Sequence, residues 1–239
     1  MPSSRESKDY LERFKVRNIK YIGNIKLASE NQINILPNKN QEILKENKFW
    51  CALSTHREEE IFCLKTHLKI KENHNNVITI IIPRHIDRVQ NIAQSCKKLK
   101  LNYQILSNDE LIKVGKEIFI INSYGTTLNY LEHCKSVFIG KSMIKRLKPV
   151  GGQNPIEAAK LGCKIYHGPY VYNFREVYEL LSEYKISNQI SSETQLAENL
   201  FNDLKETKKD DNKITEQINS LGKKILNENI EEIENILDV

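Results

Sequence analysis

Val77-Ile78-Thr79-Ile80-Ile81-Ile82, closed by Pro83, is an unbroken β-branched run. A strand with one wet face would alternate apolar and polar residues. This one does not, so both faces are expected to be buried, as in a parallel sheet covered by helices. The neighbouring segments continue the theme. Upstream, FWCALS (49–54) reads as a strand and EEEIFCLKTHLKIKEN (58–73) as a helix with Ile61, Leu64 and Leu68 on one face. Downstream come a helix (87–100), strands NYQIL (102–106) and EIFII (117–121), a helix (126–133) and strand SVFIG (136–140). A helix from Asn154, strand CKIYH (163–167) and a helix from Phe174 to Glu183 complete the series. Such alternation with short connections predicts an α/β fold, a Rossmann-like parallel sheet flanked by helices, over residues 49–190.

The two ends differ from this body. Residues 1–48 hold a short basic helix candidate (8–15), a strand-like KYIGNI (20–25) and a polar loop around Pro37, too little for a core of their own. Residues 191–239 hold two amphipathic helices, with Leu196, Leu200 and Leu204 and then Ile214, Ile218, Leu221 and Ile225 at helical spacing.

The 239 residues are 39% hydrophobic and 28% charged, the balance of a soluble globular protein. The longest apolar run is far too short to span a bilayer, and the N-terminus has no apolar core for a secretory signal. Five cysteines lie far apart without CxxC spacing, which suits reduced, buried thiols in a cytoplasmic protein and argues against zinc. The net charge of +5 hides an asymmetry: residues 193–239 carry six basic and twelve acidic groups, so the rest is strongly basic. A basic body suits an anionic ligand or an anionic membrane face. No nucleic-acid motif accompanies it, so nucleic acid is not an expected partner.

Ligands of open parallel sheets bind beyond the C-terminal strand ends. The loops expected there are Ser54-Thr55-His56, Pro83-Arg84-His85, Asn122 to Gly125, Gly140-Lys141-Ser142, Gly151 to Glu157 and His167-Gly168-Pro169. In Gly151-Gly152-Gln153-Asn154-Pro155-Ile156-Glu157, Asn154 suits an N-cap, Pro155 the first helical position and Glu157 the third. A helix start behind a glycine turn is a recipe for holding phosphate, though a well-capped structural helix fits the same residues. Arg84 can pair with phosphate through its planar fork or simply be solvated, and His85 can face a nucleotide or be structural. Ser142, after Gly140, can offer backbone and hydroxyl to a phosphate beside a loop made basic by Lys141, Lys145, Arg146 and Lys148. Ser54 and Thr55 suit capping of the next helix, and Glu58 to Glu60 are read as favouring its first turn through the dipole. Glu157 can back-bond to the cap or accept from ribose hydroxyls. No Ser-His-Asp order, P-loop lysine or paired metal carboxylates occur. From the residues alone the chain is an α/β domain with an anion or nucleotide site.

The same motifs, in this order, resemble the C-terminal domain of 3-deoxy-D-manno-octulosonic acid (Kdo) transferases. The likeness runs from Ile22-Gly23-Asn24-Ile25-Lys26 through Ser54-Thr55-His56 with Glu59-Glu60, and Pro83-Arg84-His85. It continues at Gly125, Gly140 with Ser142, Gly151-Gly152 with Asn154-Pro155 and Glu157, then Gly168-Pro169 and Asn173-Phe174, covering roughly residues 8–185. It implies the donor-binding half of a GT-B glycosyltransferase that moves Kdo from CMP-Kdo to a lipid A precursor in lipopolysaccharide core synthesis, with no metal and no cofactor. Pro83, Arg84 and His85 would then hold the cytidine side. Gly140, Ser142 and the Asn154 helix end would face the phosphate and Glu157 the ribose, with Gly125, Gly151, Gly152 and Gln153 in the same substrate-binding set. The family's N-terminal acceptor domain carries its membrane anchor and catalytic glutamate, and residues 1–48 read as the end of that domain and a linker. The expected setting is therefore peripheral, at the cytoplasmic face of the inner membrane, with an acceptor domain absent from this sequence and no turnover by the chain alone.

The chain departs from the family pattern at several places. The usual "GGHNP" has Gln153 for its histidine. "STHEGEE" has become Ser54-Thr55-His56-Arg57-Glu58-Glu59-Glu60, losing its glycine. "DTMGE" reads Asn122-Ser123-Tyr124-Gly125-Thr126 and has lost both carboxylates. Lys141 replaces the second glycine of "GGS", and Leu147 to Val150 are additional. A non-catalytic nucleotide-binding module, or a GT-B enzyme using another nucleotide sugar, stays open as an alternative.

Overall fold

In the computed structural model, β2 (Ile78–Pro83) is buried along its whole length between β1 (Phe49–Thr55) and β4 (Ile118–Ile121). Residues 1–2, 4–29, 38–108, 110–205 and 212–237 are described; the loop expected around Pro37 and the side chain of Ile214 lie outside them. With β3 (Tyr103–Leu106), β5 (Ser136–Ile139), β6 (Lys164–His167) and β7 (Ser187–Gln189), the strands form a seven-stranded sheet in the order β3-β4-β2-β1-β5-β6-β7. Every neighbouring pair is parallel. The α/β fold read from the sequence is the fold observed.

Strand alternation splits the core into two layers. Phe49, Cys51, Leu53, Ile78, Ile80, Ile82, Phe119 and Val137 point into one. Trp50, Ala52, Ile81, Ile120, Phe138 and Tyr166 point into the other. The first layer is roofed by α2 (Asn38–Glu46), α5 (Thr127–Leu131), α6 (Ile156–Lys160), α7 (Arg175–Glu183) and α9 (Asn212–Leu237). The second lies under α3 (Glu59–Lys71), α4 (Val89–Lys98) and α8 (Glu193–Asp203). Because α3 sits between sheet and α8, it is buried nearly all round, through Phe62, Cys63, Leu64, Thr66, His67 and Ile70. The expected stripe is thereby corrected: Leu64 is buried but Ile61 is exposed. All five cysteines are buried and none is in a disulfide.

The termini pack as follows. KYIGNI forms no strand: its end turns into a short 3-10 helix (Ile25–Ala28), which packs against α9 and away from any sheet edge. The N-terminal helix α1 spans Arg5–Arg13, capped by the Ser4 hydroxyl. Two elements escaped the sequence reading: α2, and β7, whose Ser-Asn-Gln carries no strand signature. The C-terminal stripes do find partners, Leu196, Leu200 and Leu204 joining one core layer and Ile218 and Ile225 the other. Among the described residues no helix is long and apolar enough to cross a membrane, and no His, Cys, Asp or Glu group is arranged to hold a metal ion.

One polar cluster lies away from the C-terminal strand ends. His67 is fully buried, with Nδ1 2.8 Å from Thr79 Oγ1 and Nε2 3.3 Å from Glu117 Oε2. Lys71 Nζ and the Asn102 N–H also donate to Glu117, at 2.5 and 2.8 Å. The His67 hydrogen bond, with help from Lys71 and Asn102, holds the Glu117 carboxyl at about 2, against an ordinary 4.5. A depressed carboxyl pKa stabilises the fold above the unfolded value and loses that contribution as pH falls through the folded one. Acid titration of unfolding should therefore show a limb between about 4.5 and 2 that Glu117→Gln flattens. An unchanged acid limb in that variant would remove Glu117 from the account.

Candidate functional site

The connection from β1 runs to β2 on one side of it, while β5 lies on the other, so the chain reverses its winding between β1 and β5. Such a switch point opens a crevice at the C-terminal strand ends. Here β1 ends in a bulge: Leu53 pairs with Ile82 and Thr55 with Pro83, leaving Ser54 extra, at φ +53°. The Gly140 N–H donates to Leu53 O at 2.8 Å and the Arg84 N–H to Thr55 O at 3.0 Å, which gathers the three strand ends.

The crevice is spanned by Glu59, the first residue of α3 and only 1% exposed. Its carboxylate accepts four backbone N–H bonds: from His56 at 3.0 Å, Lys141 at 2.7 Å, Ser142 at 2.9 Å and Met143 at 3.0 Å. Successive N–H groups turned inward make an anion-binding nest, and here the anion is the chain's own. Glu59 stands in the first turn of α3 as expected, but its carboxylate also reaches across to the β5 loop. Glu60 is likewise engaged elsewhere, in a two-pronged pair with Arg88 at 2.5 and 2.7 Å.

This changes the reading of Gly140 and Ser142. A Cβ on Gly140 would fall 2.5 Å from Ser54 O and 2.8 Å from Glu59 Oε2, so its small size serves the approach of two strand ends. Ser142 is fully buried; its hydroxyl donates to Ile139 O at 2.6 Å and accepts the Gly168 N–H at 2.8 Å. With the backbone N–H given to Glu59, Ser142 has nothing left for the phosphate it was expected to contact. The lost glycines matter too. Glu58 and Lys141, which stand where the resembled pattern has glycine, hold φ of +82° and +57°. A side chain in that region costs on the order of 1 kcal/mol.

What remains open on the rim is cationic and imidazole in character. Arg84 and His85 are exposed while Pro83 is buried beneath them, and Arg84's guanidinium has no hydrogen bond or ion pair among the described residues. The His56 ring lies 5.8 Å from that of His85, nearly perpendicular to it, with Nδ1 3.2 Å from Ser54 O. Burial lowers the His56 pKa below its usual 6.5, the Ser54 carbonyl opposing, so it presents a neutral ring at pH 7. Lys141 is half-buried alongside.

The glycine turn ahead of α6 is sewn to this rim. The Gly152 N–H donates to Lys141 O at 2.7 Å, and the Asn173 N–H to Gly151 O at 2.9 Å. Both glycines are required by packing, since a Cβ would lie 2.4 Å from Tyr170 O at Gly151 and 2.9 Å from Val171 Cα at Gly152. The helix starts close to where it was expected, with Asn154 Oδ1 accepting the Ile156 N–H at 3.1 Å and Pro155 in helical backbone. It is only five residues long, however, and gives a small dipole. Glu157 is half-buried and makes no capping-box bond, and the Gln153 carbonyl accepts from Tyr178 Oη at 3.0 Å. Gly125 stands apart, exposed on the loop after β4 at φ +78°. His167 is structural: buried, its ring tilted against that of Tyr178 with centroids 4.3 Å apart, its pKa lowered by that burial.

No family model matches the chain. It is 25% identical over 195 residues to a 3-deoxy-D-manno-octulosonic acid transferase of Haemophilus influenzae, covering 82% of this chain and 44% of that protein. To the protein of the same name in Rickettsia bellii it is 28% identical over 185 residues, covering 76% and 43%. The chain thus spans less than half the length of these curated relatives. Its fold is similar to the crystal structure of the C-terminal CMP-Kdo binding domain of WaaA from Acinetobacter baumannii, with a TM-score of 0.63 at 20% identity, covering 79% of this chain and 94% of that one. The resemblance read from the motifs is borne out.

Proposed function

We propose, from the premise that this chain is a relative of the Kdo transferases, that residues 49–190 bind the donor CMP-Kdo at the β1, β2 and β5 strand ends. The observation that supports this best is the exposed, unpaired Arg84 at the switch-point rim, beside His56, His85 and Lys141. A planar guanidinium matches a phosphate with two parallel hydrogen bonds. Because Glu59 already occupies the N–H groups of residues 141–143, the phosphate is assigned to the side chains of Arg84 and Lys141. Pro83 and His85 flank the cytidine. Gln153, Asn154 and Glu157 face the ribose, Glu157 being the one carboxylate there free to accept from its hydroxyls. As the bond to Kdo breaks, negative charge grows on the departing CMP, and a fixed cation at Arg84 lowers the barrier by stabilising it.

Transfer to a lipid A precursor, at the cytoplasmic face of the inner membrane, belongs to the same proposal. It would further need an acceptor half of the kind that precedes this region in the resembled family, in one chain or in trans. The second reading, a nucleotide-binding module without catalysis, is favoured by the carboxylate-free loop Asn122 to Thr126. Turnover once an acceptor half is added would reject it.

Calorimetry tests the donor site. CMP should bind in preference to UMP and UDP, and Arg84→Ala should weaken it roughly 10- to 100-fold, the worth of about 1.5–3 kcal/mol for a hydrogen bond to a charged group. Arg84→Lys should recover only part, lacking the fork. Preference for UDP, or CMP affinity indifferent to Arg84, would overturn the assignment.

A further inference from the structure

A further groove, of about 350 Å³, adjoins the Gly151-Gly152 turn, on which Tyr170 and Val171 pack; Lys148, Pro149, Pro169, Tyr172 and Arg175 complete its lining. One wall is made by the short 3-10 helix Lys145–Val150, which includes Leu147 to Val150, the residues additional to the family pattern. The opposite wall is the loop from β6 into α7. Asn173 fastens the two walls, its Nδ2 donating to Val150 O at 2.8 Å. The inserted residues therefore have a shape and a consequence: they complete a concavity.

Its lining is uncommon for a surface crease. Two cations and no carboxylate face it, and neither Lys148 nor Arg175 is paired among the described residues. Arg175 rests over the Tyr172 ring, its guanidinium carbon 5.4 Å from the ring centre, so the fork is held ready by a cation–π contact. The remaining surface is proline, valine and tyrosine, suited to the apolar face of a small ring compound. A bare phosphate would use the cations and leave the aromatic wall empty.

We propose that this groove is a second ligand subsite, for a saccharide bearing a phosphate. Lys148 and Arg175 take the anion, and Tyr170 and Tyr172 the sugar ring. The proposal does not require that CMP bind at Arg84.

The test is titration of glucose 1-phosphate into the full chain, with glucose and inorganic phosphate as separate probes. Glucose 1-phosphate should bind saturably and more tightly than either part alone. Lys148→Ala and Arg175→Ala should each weaken it about tenfold or more, the worth of a charge-assisted hydrogen bond. Both are exposed positions, and thermal melts matching the parent would show that the variants fold. Arg84→Ala should leave this binding unchanged, which separates it from the donor site. Absent binding, equal binding of phosphate alone, indifference to Arg175, or loss of binding in Arg84→Ala would each overturn the proposal.

Discussion

Glu59→Ala should be the most damaging single change at the rim, lowering stability by about 4 kcal/mol, or roughly 8–16 °C in melting temperature for a chain of this size. The reason lies in what the carboxylate leaves behind. Four N–H groups, on His56, Lys141, Ser142 and Met143, lose their acceptor together, and three of them belong to the one turn after β5. Each unsatisfied buried donor costs about 1–3 kcal/mol, less where water enters. Glu59→Gln keeps the shape but brings a donor amide to two of those N–H groups, so it should be damaged as well, though less. A distinctive sign separates a nest from ordinary packing. In Glu59→Ala the vacated N–H groups form an anion site, so added phosphate or sulfate should restore stability to the variant and do little for the parent. A loss under about 1 kcal/mol, or no anion rescue, would mean that the loop holds its shape without the carboxylate.

That carboxylate also marks where the sequence stopped being legible. The sheet was readable because β2 is an interior strand, covered on both sides, and must be apolar on both faces; periodicity reports burial directly. Which loops share the rim was readable as well, since parallel strands put every βα turn at one edge. What periodicity cannot report is a partner far away in sequence. Glu59 lies next to a helix start, so the local rule of acid near the dipole was satisfied without it. Three of its four donors are more than eighty residues away. Ser142 was misread for the same reason, since a serine behind a glycine looks like a phosphate contact until its burial is known. The helix face of α3 failed differently: Ile61 fits the apolar stripe, but α8 covers the other side and changes which residues are inside. β7 escaped because Ser187-Asn188-Gln189 owes its strand to the neighbouring β6 ladder and not to its own side chains.

Asp203→Ala should cost about 3 kcal/mol, and its effect reaches the rim only indirectly. Asp203 closes α8 and is 7% exposed. One oxygen accepts from Ser136 Oγ at 2.8 Å and from Tyr166 Oη at 2.5 Å, while the other meets Lys164 Nζ at 2.8 Å. Lys164 is partly exposed, so its pairing contributes little. The two hydroxyls are different. Both are buried, and burial together with the Asp203 bond pushes the Tyr166 phenol well above its usual 10. Alanine leaves them without an acceptor; asparagine keeps one and should cost about half as much. A double-mutant cycle with Tyr166→Phe should return a coupling of at least about 1 kcal/mol, because removing both partners is nearly neutral while removing one is not. The consequence for function follows from the layers. α8 holds α3 down, and α3 carries Glu59 to the crevice. Below its lowered melting temperature the variant should bind CMP as the parent does if α8 only clamps. CMP affinity falling in step with stability would show instead that α8 sets the position of Glu59, and through it the cationic rim.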